Sequence, residues 1–464
     1  MQAYFGPGGR LAAALSGFEP RAEQASLAQE VADALERGQH LLAEAGTGTG
    51  KSLAYLIPAL AWGKRVVVAT ATKALQEQLL TKDIPAAAAG LGREVRVAVL
   101  KGRQNYLCRK SLHTLDLPLF RTVNDAREYE RLRDWIETTE TGDRAELDFE
   151  PSVTLWSELA VGADRCAGRR CAFLGTCFSE LARGRAGEAE IVIANHALYF
   201  ADLALRERSD GEAGVLPEHE AVVFDEAHRL EEAAAGWFGG RVSLGGLRQL
   251  LRDVERACRE HEATVPARAL AELDRAAEEL LSGLDPGRGR RRLTEADREA
   301  AFEPAAALAA ALAHLAEALR GGGEDLDALA RRALGTADDV DTSFDPGEDA
   351  VSWAEQGALA WAPVDVSGIL RDALWERPVT AVLVSATLEA RFLRRRLGLE
   401  DAREVVFASP FDFREQALLY APRGLPEPRS AGYHARLADE IVTLCRLSGG
   451  RALVLTTSYR ALDE

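Results

Sequence analysis

The stretch Glu44-Ala45-Gly46-Thr47-Gly48-Thr49-Gly50-Lys51-Ser52 decides the fold. A short apolar run, Gln39 to Glu44, leads into it, and a helical pattern, Ser52 to Trp62, follows it. The glycines allow backbone N–H groups to turn inward around phosphate oxygens, and the helix adds the positive end of its dipole. We therefore predict a nucleotide phosphate site in which Lys51 reaches the β- and γ-phosphates and Ser52 binds Mg²⁺. Ala45 stands where a glycine is usual.

A second motif, Asp225-Glu226-Ala227-His228, directly follows the apolar run Ala221 to Phe224. A carboxylate at the C-terminal end of a strand in an α/β sheet lies where ligands bind. Asp225 is predicted to hold the metal ion, and Glu226 is placed to polarise the attacking water. Together the two motifs indicate an NTPase, although they do not identify what its hydrolysis drives.

Strand patterns alternate with helical ones in the first hundred residues and return later in the chain. This alternation predicts an α/β domain with a parallel sheet covered on both faces. A second sheet domain is expected to begin near Leu418. The predicted strands are Gln39 to Glu44, Arg65 to Ala69, Val95 to Leu100, Ile191 to Ala194, Ala221 to Phe224, Thr380 to Val384 and, in the second domain, Arg451 to Thr456.

Two insertions interrupt the sheet pattern. The first, from Lys101 to about Arg185, contains four of the cysteines and a charged helical stretch. The second, from about Glu231 to Arg332, is rich in Ala, Leu, Glu and Arg at helical spacing and is predicted to be helical. The glycine-rich, acidic segment Gly321 to Asp349 is predicted to be a loop or link.

Composition excludes some classes of protein. With 47% hydrophobic and 28% charged residues, the chain can bury real cores. No run of about 18 apolar residues suggests a membrane span, and a cytoplasmic protein is expected. The net charge of −17 argues against nucleic-acid binding, but a channel needs only local positive charge. Two basic clusters flank the cysteines, Lys101, Arg103, Arg109 and Lys110, and Arg165, Arg169, Arg170, Arg183 and Arg185.

Clustered cysteines in a long cytosolic chain indicate metal binding rather than disulfides. Four thiolates suit either a [4Fe–4S] cluster or structural Zn²⁺, and spacing alone does not decide between them. The isolated Cys258 and Cys445 suit core positions. Aromatic residues near the cluster could stack on bases of a single strand or pack around the metal, and both alternatives stay open. The clustered cysteines are Cys108, Cys166, Cys171 and Cys177, and the aromatic residues are Tyr106, Phe173 and Phe178.

Further motifs in this order resemble those of superfamily 2 DNA helicases. Phe18-Glu19-Pro20-Arg21 with Gln24 resembles the Q motif that reads adenine. Thr70 to Leu79 resembles motif Ia, which grips the DNA backbone, and Ser385-Ala386-Thr387-Leu388 resembles motif III, which links the ATP site to DNA. The Asp-Glu-Ala-His form of the second motif belongs to the same resemblance and adds His228 to the catalytic set of Lys51, Asp225 and Glu226.

The narrower resemblance is to the DinG/YoaA-like iron–sulfur helicases and their XPD-like relatives, and it covers nearly the whole chain. Lys101 to Cys108 is similar to the stretch that opens the iron–sulfur domain of this family. Ala194-Asn195-His196-Ala197-Leu198 resembles the Asn-His segment that follows that domain. Ala362 to Asp365 and Ser409 to Phe411 are also similar to the family.

This resemblance implies a RecA-like P-loop motor domain with an iron–sulfur insert and a helical arch insert, plus an incomplete second RecA-like domain. The expected boundaries are 1–100, 186–232 and 371–417 for the first motor domain, 101–185 for the iron–sulfur domain, 233–370 for the arch, and 418–464 for the second motor domain. It also implies ATP, Mg²⁺ and a [4Fe–4S] cluster held by the four cysteines. ATP would be bound by Gln24 and by Ala45, Gly46, Thr47, Gly48, Thr49, Gly50, Lys51 and Ser52, and DNA by Thr70, Thr72 and Lys73.

The implied function is ATP-dependent unwinding of DNA in the 5′→3′ direction, in repair or replication, by a monomer acting on single-stranded and forked DNA. Motifs V and VI are missing before Glu464, and with them the arginines expected opposite the γ-phosphate. We therefore expect a truncated chain that binds ATP and DNA, hydrolyses ATP weakly and does not unwind duplexes. The other alternative is a P-loop enzyme with a zinc-stabilised insert and no nucleic-acid substrate.

Overall fold

The computed structural model describes residues 1–113, 123–162, 166, 168, 171–208, 214–287, 289–387, 389–428, 430, 432–457 and 461–462. The predictions for Arg165, Arg169, Arg170 and Leu388 lie outside these residues. The chain divides into two units, Met1–Pro410 and Phe411–Glu464. The predicted phosphate loop and the predicted acidic motif both lie in the first unit.

Strands and helices alternate through the first unit. The strands are β1 Leu41–Ala45, β2 Val66–Thr70, β3 Val97–Val99, β4 Ile191–Asn195, β5 Ala221–Asp225, β6 Gly240–Ser243, β7 Arg290–Arg292, β8 Ala350–Glu355, β9 Ala358–Pro363, β10 Thr380–Ser385 and β11 Arg403–Phe407. The helices are α1 Gln2–Phe5, α2 Arg10–Ala14, α3 Ala22–Arg37, α4 Lys51–Trp62, α5 Lys73–Gln78, α6 Ile84–Leu91, α7 Arg109–His113, α8 Val123–Thr138, α9 Val153–Leu159, α10 Phe178–Glu188, α11 His196–Arg208, α12 Leu230–Phe238, α13 Leu244–Glu260, α14 Ala267–Gly283, α15 Glu295–Ala300, α16 Phe302–Leu319, α17 Glu324–Phe344, α18 Ser367–Leu370 and α19 Ala390–Leu397, with α20 Phe413–Gln416 and α21 Tyr433–Leu447 in the second unit.

Seven of the strands form one parallel sheet in the order β11-β1-β10-β5-β2-β4-β3, which confirms the predicted α/β class. Both faces of the central strands β1, β10, β5, β2 and β4 are buried, so these strands are apolar runs without an alternating pattern, whereas the edge strand β11 alternates between half-buried and exposed residues. In β2, for example, Val67 and Ala69 belong to one core, whereas Val66 and Val68 belong to the core on the opposite face. The sheet therefore stands between two layers and presents its strand ends, rather than its faces, to ligands.

The register of the parallel strands brings their C-terminal ends together at one edge. Glu44 of β1 pairs with Ser385 of β10, and Val384 of β10 pairs with Asp225 of β5. On the other side of β5, the C-terminal residues of β2 and β4 are paired with each other. Because ligands bind at this edge in parallel sheets, the predicted motifs lie where a site is expected.

A separate helical insert lies between β5 and β10. Its helices α13, α14, α16 and α17 share one apolar core and pack beside an antiparallel sheet of order β6-β9-β8-β7. Among the described residues, only α16 is long and apolar enough to cross a membrane, a test that core helices also pass. Its Leu308, Leu312 and Leu315 are fully buried in the core of the insert.

The prediction of a loop over Gly321 to Asp349 is wrong, because most of this segment forms α17. Acidic residues in its first turn suit the positive end of the helix dipole. Leu326, Leu329, Ala333 and Val340 recur at helical spacing and are buried against the rest of the insert. Tertiary burial of this stripe outweighs the glycine-rich, acidic composition that suggested a loop.

The prediction of a strand over Arg451 to Thr456 is also wrong. These residues have extended sequence propensity but form no strand, and Leu453 and Leu455 are each 85% exposed. A strand is stabilised by pairing with a neighbour, and no described segment of the second unit pairs with this one. The sequence patterns also did not predict the strands β6 to β9 or the edge strand β11.

Candidate active site

The phosphate-binding loop runs from the end of β1 to the start of α4. Gly48 and Gly50 have positive φ angles of 84° and 77°, a conformation that L side chains rarely adopt. Lys51 is the first residue of α4, and its Nζ lies 3.4 Å from the carbonyl oxygen of Ala45. The Thr49 hydroxyl donates a hydrogen bond to the carbonyl of Gly46 at 2.6 Å. The loop is thus already folded into a cradle for phosphate.

Side chains from two other segments hold this loop in place. Gln24 Nε2, on α3, donates to the carbonyl of Gly50 at 2.9 Å, and the Arg21 guanidinium donates to the carbonyl of Gly48. Ser409 Oγ, which follows β11, donates to the carbonyl of Thr47 at 2.9 Å. A Cβ atom on Gly46 would lie 2.6 Å from the backbone nitrogen of Ser409, so this close approach requires a glycine.

The acidic motif begins at the buried C-terminal end of β5. Asp225 is 6% exposed, and its burial raises the pKa of its carboxyl to about 6, with the charge of Glu226 adding to the shift and Lys51 opposing it. A divalent cation at this carboxylate would favour its charged form. Glu226 adopts the left-handed conformation, with φ 55° and ψ 48°. Its backbone therefore turns sharply away from the strand, directly after the predicted metal ligand.

A buried tyrosine lies beside the two predicted metal ligands. Tyr55, on the first turns of α4, is fully buried, and its pKa is raised well above the usual value, chiefly by burial and then by the charge of Asp225. Ser52 also influences this hydroxyl. The neutral phenol lies near Ser52 and Asp225, but its buried hydroxyl makes no hydrogen bond within the described residues.

The acidic motif is also connected to the end of the neighbouring strand. His228 Nδ1 lies 2.8 Å from Ser385 Oγ, the last residue of β10, and 3.3 Å from a carboxylate oxygen of Glu226. The hydroxyl of Ser385 is in turn 3.3 Å from the carbonyl of Thr387. A displacement of the segment after β10 would therefore change the contact between His228 and Glu226.

The four clustered cysteines line a single cavity of about 940 Å³ between the cysteine-containing region and the helical insert. Cys108 accepts a hydrogen bond from the backbone of Ser111 at 3.5 Å, and Cys166 accepts one from Gly168 at 3.4 Å. Burial raises the pKa of Cys177, and the nearby Cys166 adds to the shift. Within the described residues, no three His, Cys, Asp or Glu side chains are grouped tightly enough to hold one metal ion.

Comparison with known proteins identifies the family of this chain. A family model described as DEAD/DEAH box helicase matches residues 25–124. The ATP-dependent DNA helicase YoaA of Escherichia coli K12 is 33% identical over 99% of this chain and 75% of its own length. The ATP-dependent helicase DinG of Mycobacterium tuberculosis H37Rv is 34% identical over 97% of this chain and 73% of its own length. The chain belongs to the YoaA/DinG helicase family. The match to a solved structure of an XPD helicase covers 96% of this chain and 74% of the XPD chain, with a TM-score of 0.48 and 15% sequence identity.

The DNA-binding residues predicted from YoaA/DinG-type motifs differ in exposure. Lys73 is exposed at the start of α5, and the Thr72 hydroxyl caps this helix by accepting from the backbone of Leu75 at 3.3 Å. Thr70, by contrast, is fully buried, and its hydroxyl has no hydrogen-bond partner. Its side chain therefore has no accessible atom for DNA in this conformation, and only Thr72 and Lys73 remain as candidate contacts.

The aromatic residues near the cysteines of this YoaA/DinG-family chain pack inward. Tyr106 and Phe178 are buried in the core that continues under the sheet, and Arg109 covers the ring of Phe178 at 4.3 Å. Phe173 is half-buried against the ring of His113, with 5.5 Å between the centroids. Of the two open alternatives for these rings, packing holds for Tyr106 and Phe178. Cys258 is buried in the core of the insert, as a core position requires.

Several residues around the site were not assigned a role from sequence. Arg21 and Ser409 occur in the quoted motifs, but only the folded chain shows that both contact the phosphate loop. Tyr55 lies four residues after Lys51, one helical turn further, and this spacing could have signalled it. His196 is the fourth such residue, since its Nε2 lies near the carbonyls of Ala69 and Asp225.

Proposed function

We propose that this chain is the ATP-hydrolysing motor of a DNA helicase. The observation that carries the proposal is the convergence of Lys51, Asp225 and Glu226 at the ends of β1 and β5, the two strands that flank β10, with His228 connecting Glu226 to Ser385 of β10. Membership of the YoaA/DinG family supports the same activity, because the Escherichia coli YoaA and the Mycobacterium tuberculosis DinG are both named as ATP-dependent helicases.

Each residue of the ATP site has a role in phosphoryl transfer. Ser52 and Asp225 would hold Mg²⁺, which neutralises charge on the phosphates, and Lys51 would follow the γ-phosphate. Glu226 would polarise the attacking water, and its backbone conformation directs it away from the strand end. Gln24, which already contacts the phosphate loop, would bind the adenine base.

DNA would be contacted at Thr72 and Lys73, at the exposed start of α5. We propose single-stranded and forked DNA as the substrate, 5′→3′ as the direction, and DNA repair or clearance of replication obstacles as the setting. A monomer in the cytoplasm is proposed on the same ground, the family to which the chain belongs. The link from Ser385 to the acidic motif would be one path by which DNA binding reaches the ATP site.

The four cysteines would hold a [4Fe–4S] cluster. The proposal rests on their number and on their common position around one cavity, since Fe–S clusters are bound by four thiolates, although within the described residues they are not grouped tightly enough to hold a metal ion. The cluster, when bound, supplies a cross-link between the segments that carry Cys108 and the later cysteines. We propose 101–185 as the cluster domain and 233–370 as the arch, with the parallel sheet as the first motor domain and 418–464 as the start of a second.

ATP hydrolysis by the complete gene product, measured with and without single-stranded DNA, tests this proposal. We expect Mg²⁺-dependent hydrolysis that single-stranded DNA stimulates and that Lys51→Ala abolishes. A rate of hydrolysis that single-stranded DNA does not change at any concentration would favour a P-loop enzyme with another substrate. Hydrolysis that survives Lys51→Ala would show that a different site is responsible.

A further inference from the structure

His196 lies between two strand ends that the ATPase machinery uses. It is the first residue of α11, directly after β4, and it is only 3% exposed. Its Nε2 lies 3.2 Å from the carbonyl oxygen of Ala69 in β2 and 3.0 Å from that of Asp225 in β5. Both partners are carbonyls and can only accept, so Nε2 carries the hydrogen and donates it to both.

The plane of the ring is fixed by its surroundings. Its centroid lies 6.0 Å from that of Phe224 at an interplanar angle of 64°, an edge-on contact that fixes the plane of the ring.

The bond to Asp225 bears directly on Glu226. The carbonyl of Asp225 belongs to the same peptide plane as the nitrogen of Glu226, so its orientation sets where the Glu226 backbone begins. Glu226 has a φ of 55°, a left-handed conformation that L residues rarely adopt and that persists where neighbours determine it. His196 is such a neighbour, because its N–H holds that peptide in one orientation.

The bond to Ala69 connects His196 to the segment that is proposed to contact DNA. Ala69 precedes Thr70, the last residue of β2, and the chain then enters the segment with Thr72 and Lys73 at the start of α5. One N–H shared between Ala69 and Asp225 is sensitive to the relative position of the two strand ends. A shift of β2 caused by DNA at Lys73 would change the bond to Asp225, and with it the peptide before Glu226.

We propose that His196 is a positioning residue for ATP hydrolysis: its Nε2–H holds the carbonyls of Ala69 and Asp225, sets the direction of Glu226, and transmits DNA binding at α5 to the attacking water. The inference rests on the proposed function. In this role His196 contacts neither nucleotide nor DNA. Its substitution should therefore change the rate of ATP turnover and the stimulation by DNA, rather than the affinity for ATP.

The test compares His196→Leu, which removes the donor, with His196→Gln, whose side-chain amide can place a donor near the position of Nε2. His219→Leu is the matched control, because His219 is a half-buried histidine of the same unit that bonds Pro217 and Tyr199 instead. In the complete gene product we measure kcat and KM for ATP with and without single-stranded DNA, and the melting temperature of each variant.

We expect His196→Leu to lower kcat by about tenfold or more and to remove most of the DNA stimulation, with KM for ATP changed by less than about twofold. His196→Gln should restore kcat to within about threefold of the wild type, and His219→Leu should alter the melting temperature without this kinetic pattern. If His196→Leu does not fold, His196→Gln is compared with His196→Asn, whose shorter amide cannot reach both carbonyls, and loss of kcat in His196→Asn alone supports the inference.

Unchanged kcat and DNA stimulation in His196→Leu, or equal kcat in His196→Gln and His196→Asn, would overturn the inference while leaving the proposed function intact. Equal kinetic defects in His196→Leu and His219→Leu would also overturn it, because they would indicate a general packing effect. Absence of any ATP hydrolysis by the wild-type protein would instead overturn the proposed function, and this inference with it.

Discussion

His228 Nδ1 and Ser385 Oγ lie 2.8 Å apart, so the acidic motif and the end of β10 are joined by a side-chain hydrogen bond across 157 residues of sequence. Both groups lie at the edge formed by the C-terminal ends of the strands, where the phosphate loop also begins. His228 is in addition 3.3 Å from the carboxylate of Glu226. This contact makes Ser385 the connection between Glu226, the residue proposed to polarise water, and the chain that follows β10.

Ser385→Ala should separate ATP hydrolysis from unwinding. It removes the hydroxyl partner of His228 but leaves Lys51, Asp225 and Glu226 in place. We expect ATP turnover without DNA to stay within about threefold of the wild type and strand displacement to fall by about tenfold. The control is Ser352→Ala, a buried strand serine of the insert. Equal losses of hydrolysis and unwinding in Ser385→Ala would mean that the contact serves catalysis alone.

Lys51→Ala should abolish ATP hydrolysis without unfolding the protein. Within the described residues its Nζ makes one hydrogen bond, to the Ala45 carbonyl at 3.4 Å, so little native stability depends on it. Loss of its charge near the γ-phosphate should lower kcat by on the order of 100-fold or more. Steady-state hydrolysis and a melting curve check both parts. Normal turnover would refute the assignment of the phosphate loop.

Glu226→Gln should stall hydrolysis with nucleotide still bound. The amide keeps the shape of the side chain but cannot polarise water, whereas Ser52 and Asp225 still hold Mg²⁺. We expect ATP affinity within about threefold of the wild type and kcat lower by on the order of 100-fold. Titration with a fluorescent ATP analogue measures the affinity. Loss of nucleotide binding in this variant would make Glu226 a structural residue.

Cys171→Ser should release iron from the protein. The complete gene product, purified without oxygen, should contain about four irons and absorb visible light as a [4Fe–4S] protein does. Cys171→Ser should bleach it, whereas Cys258→Ser, which alters a buried cysteine of the insert core, should not. Iron and zinc analysis of the three proteins decides the case. Stoichiometric zinc without iron would establish the structural zinc alternative.

Much of the fold follows from local sequence. The strands β1, β2, β4, β5 and β10 are apolar runs ending in turns or acidic motifs, and each was predicted to within two residues at either end. The phosphate loop was predictable because Gly48 and Gly50 are required by their positive φ angles. Position 225 was predictable because a carboxylate at the end of an apolar run has a specific meaning in a parallel sheet.

Other features depend on tertiary contacts that local patterns do not contain. The helix α17 forms because its apolar stripe is covered by α16, and the segment 451–456 is no strand because none of the described residues pairs with it. Arg21 and Ser409 meet the phosphate loop from segments 27 and 362 residues away. The burial of Thr70 was missed for the same reason, since its exposure is decided by the neighbouring strands.

The central claim is tested most directly by strand displacement. The complete gene product is mixed with ATP and either a duplex bearing a 5′ single-stranded tail or the matched duplex bearing a 3′ tail, with Lys51→Ala as the control. We predict that the 5′-tailed duplex is unwound, that the 3′-tailed duplex is not, and that Lys51→Ala unwinds neither. ATP hydrolysis with no displacement of either duplex would contradict the helicase assignment, and displacement of the 3′-tailed duplex alone would contradict the proposed direction.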